Sequence, residues 1–361
     1  MALGLPVVWN DRHRLHEPGG EIWLGIRTPG TEVPTRADAI REALAGAGAR
    51  LVDAEAHPDE AVLAVHSPGL VDFLSGAWAA WEAAGLPDDP GQDRVVPYVF
   101  PLPGVTSGRP AFEPAATWAR TGFYAYDTMT LVGPGTWEAA RAAADAALTA
   151  ADLVLAGAPA AYACCRPPGH HVTRDCYGGS CYLNSAAIAA QWLCDRRGGP
   201  VAVLDLDAHH GNGTQELFYD RPDVLTGSVH VDPGAGWFPH FLGFADETGA
   251  GAGEGANLNL PLAPGSGDDV WLAAVARLIR AVRKHGADLL VVPLGVDAAG
   301  SDPQSPLQVS KAGFREAGRL LGALGLPTVL VQEGGYDLAA IGGLVRATLE
   351  GFEEGIEEAR A

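Results

Sequence analysis

The sequence has no run of about 18 consecutive apolar residues, which excludes an ordinary membrane-spanning helix. It also lacks the basic start and long apolar stretch of a secretory signal, since MALGLPVVWNDRHRLHEPGG mixes charge and apolar residues throughout. Positive charge is in deficit: 24 Lys and Arg face 44 Asp and Glu, a net charge of −20. No basic surface can dominate, which argues against a nucleic-acid partner and mildly for cationic small molecules. Cysteine is scarce, odd in number and without C-x-x-C spacing: Cys164, Cys165, Cys176, Cys181 and Cys194. Free thiols in a reducing cytoplasm follow from that pattern. No internal repeat and no compositional boundary breaks the chain, so residues 1–361 are expected to form a single domain.

What is present is a hydrophobic content of 47%, enough for a sizeable core. Apolar runs at Pro6–Trp9, Arg50–Asp53, Ala160–Arg166, Val201–Asp207, Val224–His230, Leu289–Val296 and Thr328–Gln332 read as strands. Between them, helical patterns cover Arg36–Gly46, a Ser67-capped segment through Val71, Leu74 and Trp78, Thr136–Ala156, Tyr182–Arg196, Gln215–Tyr219, Asp268–His285 capped by Asp268, Lys311–Leu324 and Ile341–Phe352. Alternation of this kind implies an α/β fold with a parallel sheet covered on both faces. Asn10–Thr35 and Gly85–Pro114 read as long loops, and the Gly-rich Thr248–Gly255 as a plain loop.

Four of these strands end in chemistry. The first leads into Pro167-Pro168-Gly169-His170-His171, the second into Asp205, Asp207 and His209, the third into Asp297, the fourth into Glu333-Gly334-Gly335-Tyr336. Ligands of open parallel sheets bind beyond the carboxyl ends of the strands, so these groups share one rim. Asp207, His209 and Asp297 offer two oxygens and one nitrogen, a three-ligand set with an open position. It suits zinc, and also iron, manganese or cobalt. His171 can take a proton from a metal-activated water, His170 can stabilise charge, and Asp205 and Asn212 can orient the two rings. Tyr336 can donate to an oxyanion. The set describes metal-assisted amide hydrolysis.

The motifs RPPGHH (Arg166–His171), GGSCYLN (Gly178–Asn184), DLDAHHGNGTQ (Asp205–Gln215), FPHFLGFADETG (Phe238–Gly249), LGVD (Leu294–Asp297) and EGGY (Glu333–Tyr336) resemble the histone deacetylase superfamily, most closely its acetylpolyamine amidohydrolase branch. The resemblance implies an arginase/deacetylase-like three-layer α/β sandwich around an eight-stranded parallel sheet. It implies one Zn²⁺ on Asp207, His209 and Asp297, His170 and His171 as the catalytic pair leaning on Asp205 and Asn212, and Tyr336 polarising the acyl carbonyl. A structural K⁺ on Asp205, Asp207, His209 and Ser228 follows from the same likeness, as does a substrate wall of Phe238, Ser180, Gly179 and Gly335.

Ser180 departs from the family pattern, which has an aromatic residue there. It implies a tunnel wider on that side. Trp118 and Met129 fall where the acetylpolyamine branch carries acidic residues, and Glu17 or Glu21 are the candidates to replace them. The expected substrate is a small acylated amine, an acetylpolyamine or an acetyl-lysine-like group. The long loops could form a dimer arm. The rival readings are an arginase-like ureohydrolase, disfavoured because His210 and Gly211 follow His209, and a non-catalytic protein that binds acyl ligands.

Overall fold

Residues 3–361 are described by a computed structural model. Its strands, in chain order, are β1 (Pro6–Trp9), β2 (Glu21–Trp23), β3 (Ile26–Thr28), β4 (Arg50–Asp53), β5 (Ala160–Ala163), β6 (Val201–Asp205), β7 (Val224–Val231), β8 (Asn257–Leu262), β9 (Leu289–Leu294) and β10 (Thr328–Gln332). Eight of them form one parallel sheet in the order β4-β1-β5-β10-β9-β6-β7-β8, while β2 and β3 pair as an antiparallel hairpin.

The apolar runs are continuous because each strand is covered on both sides. Alternate residues of a strand face opposite ways. Val201, Val203, Leu289 and Val291 enter one core with helices Pro68–Ala83, Thr136–Leu155 and Ser185–Arg197. Ala202, Leu204, Leu290 and Val292 enter the other with helices Thr35–Gly46, Asp268–His285, Lys311–Gly322 and Ile341–Arg360. Among the described residues, no helix is long and apolar enough to cross a membrane.

Helix starts follow side-chain caps in part. Ser67 Oγ accepts from the Leu70 amide at 3.3 Å. Asp268 does not cap its own helix, whose N-cap is Gly267. Its carboxylate reaches the next helix instead, accepting from the Ser310 amide at 2.7 Å and the Ser310 hydroxyl at 2.5 Å. Several elements escape the sequence pattern. The Asn10–Thr35 segment carries a 3₁₀ turn (Asp11–Leu15) and the β2–β3 hairpin. Thr117–Tyr124 is helical. β8 reads NLNLPL, polar at alternate positions with a proline inside, a composition tolerated because it lies at the sheet edge. Its Asn257 and Asn259 amides both donate to Gln215 Oε1, at 2.9 and 2.8 Å. Thr248–Gly255 is a turn closed on itself by the Gly255 amide bonding to the Thr248 carbonyl at 2.7 Å.

The three apolar strands that lead into the acidic and imidazole motifs are shorter than the apolar pattern suggests. β5 stops at Ala163, β6 at Asp205 and β9 at Leu294, so all the motif residues but Asp205, which ends β6, sit on turns beyond the ladder.

One buried histidine ties the cores to pH. His66 Nδ1 bonds to the Thr173 carbonyl at 2.9 Å, and Nε2 accepts from the Asn184 amide at 2.9 Å. Asn184 caps helix Ser185–Arg197. That arrangement requires the neutral ring, and burial lowers the His66 pKa from 6.5 to about 4. The folded state therefore resists protonation, the unfolded state binds more protons, and stability is full above pH 6.5 and lost as pH falls toward 4. The loss attributable to His66 is about 3 kcal/mol, from 6.5 down to about 4. Urea denaturation at pH 7 and pH 4.5 is expected to show it, with a flatter pH dependence in His66→Gln.

Candidate active site

The site forms where four adjacent central strands end. In the sheet order these are β5, β10, β9 and β6. Registers Val331↔Ala163, Gln332↔Leu294 and Val203↔Val291 bring their carboxyl ends level. The turns after them carry His170–His171, Glu333–Tyr336, Asp297 and Asp207–His209 to one place.

Asp207, His209 and Asp297 present one donor atom each within 4.8 Å of one another. Asp207 and Asp297 are buried, and the His209 side chain is 13% exposed. His209 Nε2 lies 3.1 Å from the Gln304 carbonyl, which can only accept, so the ring proton sits there. Nδ1 then faces Asp207 Oδ1 at 3.2 Å and Asp297 Oδ2 at 3.0 Å; burial works against charge on the ring, but the two carboxylates raise its pKa well above the ordinary value, so a proton holds the place between them that a metal cation would take. Three acceptors converging in the interior require a cation, and an imidazole whose second nitrogen is held by a carbonyl is the usual form of a metal ligand. The residues fit a divalent metal. The backbone steadies the carboxylates. Ala208 N–H donates to Asp297 Oδ1 at 2.7 Å, and Gly334 N–H to Asp207 Oδ2 at 2.8 Å. Burial and then Asp207 raise the Asp297 carboxyl to about 7. Burial also opposes ionisation of Asp207, but His170 and His209 hold it below the usual carboxylate range. A second group, His170, Cys181 and Glu333, is as close together. Burial raises the Cys181 thiol well above its ordinary value, which keeps it protonated and a poor ligand.

The two histidines of RPPGHH differ in partner. His170 Nδ1 lies 2.8 Å from Asp205 Oδ2, and His171 Nδ1 lies 2.7 Å from Asn212 Oδ1. For His170, burial works against the charge, but Asp205 and Asp207 raise the pKa to about 10. For His171, burial and then the charges of His170 and His209 lower it well below the ordinary value. The rings are 4.0 Å apart between centroids. Glu333 Oε2 accepts from the amides of Gly169 and His170 at 2.6 and 3.1 Å and so fixes the backbone of the pair.

A cleft of about 530 Å³ opens over this floor. His171, His209, Tyr336, Gly179, Ser180, Phe238 and Met129 line it. Phe238 packs edge-on to His171 at 4.8 Å, and Ser180 stands in the wall with φ +61°. Gly179 is obligatory: with φ +61°, a Cβ there would lie 2.4 Å from the His171 ring. Gly335, expected at the substrate, is not in the cleft wall; it is buried behind Tyr336 and its carbonyl accepts from Arg36 Nε. The Arg36 guanidinium lies 4.5 Å from the centre of the Tyr336 ring. Trp118 stays outside the cleft, 47% exposed. Glu21, from the β2–β3 hairpin, lines the cleft; Glu17 does not, and its carbonyl accepts from Arg94. Ser228 sits beside Asp205 in register and bonds His230 Nδ1 at 2.8 Å.

Several supporting residues gave no sequence signal. Asp127 accepts from the amides of Met129, Thr130 and Gly179, at 2.9, 2.9 and 2.6 Å, and so shapes the turn before Ser180. The Tyr126 hydroxyl donates to the His171 carbonyl at 3.1 Å. Glu32 is buried between Arg36 and Arg166, at 2.9 and 2.7 Å, and pins the N-terminal segment to the RPPGHH turn.

Comparison with known proteins gives the same answer along almost the whole chain. The histone deacetylase domain matches residues 30–352. Acetylpolyamine amidohydrolase 1 of Pseudomonas aeruginosa is 42% identical over 347 residues, 96% of this chain and 98% of that protein. The acetylpolyamine amidohydrolase of Mycoplana ramosa is 41% identical over 346 residues, 96% and 98% of the two chains. The crystal structure of acetylpolyamine aminohydrolase from Burkholderia pseudomallei has a TM-score of 0.91 at 39% identity, covering 97% of this chain and 99% of that one. The eight-stranded parallel sheet is thus the deacetylase fold expected from the motifs, and the chain belongs to the histone deacetylase family of amide-hydrolysing enzymes.

Proposed function

We propose that this deacetylase is zinc-dependent and hydrolyses the acetyl amide of a small cationic amine, an N-acetylated polyamine, with residues 1–361 acting as one catalytic domain. The observation that carries the reading is the neutral His171 standing beside three converging metal-type donors at the floor of a cleft. Asp207, His209 and Asp297 would hold the metal. Bound there, a divalent ion acidifies a water and polarises a carbonyl oxygen.

The protein's own groups do the rest. His171 keeps its Nδ1 proton on Asn212, so Nε2 is the atom that accepts a proton from water and returns it to the leaving amine. His170, charged against Asp205, stabilises the negative charge that develops on the acyl group. Burial raises the Tyr336 phenol well above its ordinary value, so its hydroxyl stays protonated and donates to the acyl oxygen. Phe238 covers one side of the acyl chain, and Ser180 leaves the other side open. A structural K⁺ would be held by Asp205, Asp207, His209 and Ser228. Free cysteines throughout suit a cytoplasmic enzyme.

The substrate class rests on relatives and on charge. The relatives named above are called acetylpolyamine amidohydrolases. In this chain Glu21 is the carboxylate in the cleft wall, accepting from the Thr31 amide at 3.3 Å, and it is placed to meet a distal ammonium. The exposed Phe112, Val105, Tyr98 and Leu102 of the Gly85–Pro114 segment make an apolar surface that we assign to a homodimer contact, readable by sedimentation.

Chelation is expected to abolish acetylpolyamine hydrolysis and zinc to restore it. His171→Gln should lower kcat by about 10² to 10⁴ with metal content unchanged. Hydrolysis that survives both treatments would exclude this mechanism. Glu21→Gln is expected to raise KM about tenfold for acetylated polyamines but not for a neutral N-alkylacetamide, as loss of a charged hydrogen bond predicts. Ser180→Phe should narrow the cleft and shift the ranking toward linear substrates; an unchanged ranking across an acyl series would show that this wall does not select.

A further inference from the structure

We propose that Asp302 is a positioning residue that holds the acyl-oxygen donor Tyr336 and the metal-facing imidazole of His209 in one frame. Asp302 lies in the loop after Asp297 and is 8% exposed. One of its oxygens accepts from the Gln304 amide at 2.9 Å. The other accepts from the amides of Tyr336 at 2.7 Å and Asp337 at 3.2 Å. Gln304 in turn offers its carbonyl to His209 Nε2 at 3.1 Å. The residue that Asp302 grips by its N–H therefore also orients, through its own carbonyl, the ring that faces Asp207 and Asp297.

Tyr336 and His209 come from different strand tips and have no covalent reason to keep a fixed separation. Arg36 holds the carbonyls of Glu333 and Gly335 on the inner side of the Tyr336 turn. The outer side, the amides of Tyr336 and Asp337, is held by Asp302. A carboxylate suits this place because both of its oxygens only accept, and three N–H groups point at them. A carboxamide must turn its NH₂ toward one set of donors. The Gln304 side chain extends the link outward, donating to Thr31 Oγ1 at 3.1 Å, on the segment that covers the cleft.

The inference rests on the metal reading of Asp207, His209 and Asp297, which loss and recovery of hydrolysis in the unaltered protein tests separately. Its own test compares Asp302→Asn and Asp302→Ser by melting without metal, zinc affinity against a competing chelator, and kcat and KM at saturating zinc. Asp302→Asn is expected to weaken zinc by about 10- to 100-fold, as outer-shell changes do, and to lower kcat at saturating zinc about 100-fold with KM little changed. Serine can still accept the N–H two residues on, but it is too short to reach Tyr336. Asp302→Ser should recover zinc affinity and leave kcat low. That split between affinity and turnover is what a purely structural role cannot produce. The proposal is overturned if Asp302→Asn changes neither quantity, if Asp302→Ser restores both, or if both losses simply track a lowered metal-free melting temperature.

Discussion

Acceptor atoms facing one another in a dry interior set the terms for the whole active end of this molecule. Asp207 and Asp297 are 1% and 0% exposed, and Nδ1 of His209 points between them. Two carboxylate charges about 4 Å apart repel by about 4 kcal/mol even at an effective dielectric of 20. The fold answers with a cation-binding geometry and with backbone donors from Ala208, His209 and Gly334. It also answers by bringing the main chain close. A Cβ on Gly334 would lie 2.5 Å from an oxygen of each aspartate, and one on Gly295 would lie 2.0 Å from Asp207 Oδ2. The glycines of LGVD and EGGY are therefore part of the same constraint as the aspartates, since only bare backbone lets the two turns close around them.

That constraint was legible in the sequence because it is local. Apolar strands followed at once by Asp, His or Glu-Gly-Gly-Tyr are chemically expensive unless the tips converge, and their convergence could be inferred without knowing the order of the strands. The order itself was not legible. β9 and β10 come late in the chain but insert between β6 and β5, placing Asp297 and Tyr336 between the histidine pair and the Asp207 turn. No periodicity encodes that order, in which helices Asp268–His285, Lys311–Gly322 and Ile341–Arg360 share one core.

The parts that stayed hidden share a physical character. Asp127 and Asp302 bond to main-chain amides distant in sequence, and an acidic residue in a loop otherwise reads as a turn or a solvated surface. Asp268 shows the error in miniature: its place at the start of a helix suggested a cap for that helix, while its carboxylate serves Ser310, 42 residues away. β8 was missed because Asn257 and Asn259 are buried through side-chain bonds to Gln215, which no hydrophobicity pattern records. The family likeness puts Gly335 at the substrate wall, but its carbonyl accepts from Arg36.

Two similar rings at the site differ by one atom type behind them. Asp205 and Asn212 stand at nearly equal distances from the Nδ1 atoms of His170 and His171, 2.8 and 2.7 Å. A carboxylate rewards a charged imidazole, and an amide oxygen rewards only the orientation of the ring. Once His170 carries charge, the neighbouring ring, 4.0 Å away, is pushed further toward neutrality, so the two states reinforce each other. A carboxylate in place of Asn212 would raise the His171 pKa, whereas the amide oxygen orients the ring without adding charge. Asp205, by contrast, holds positive charge on His170.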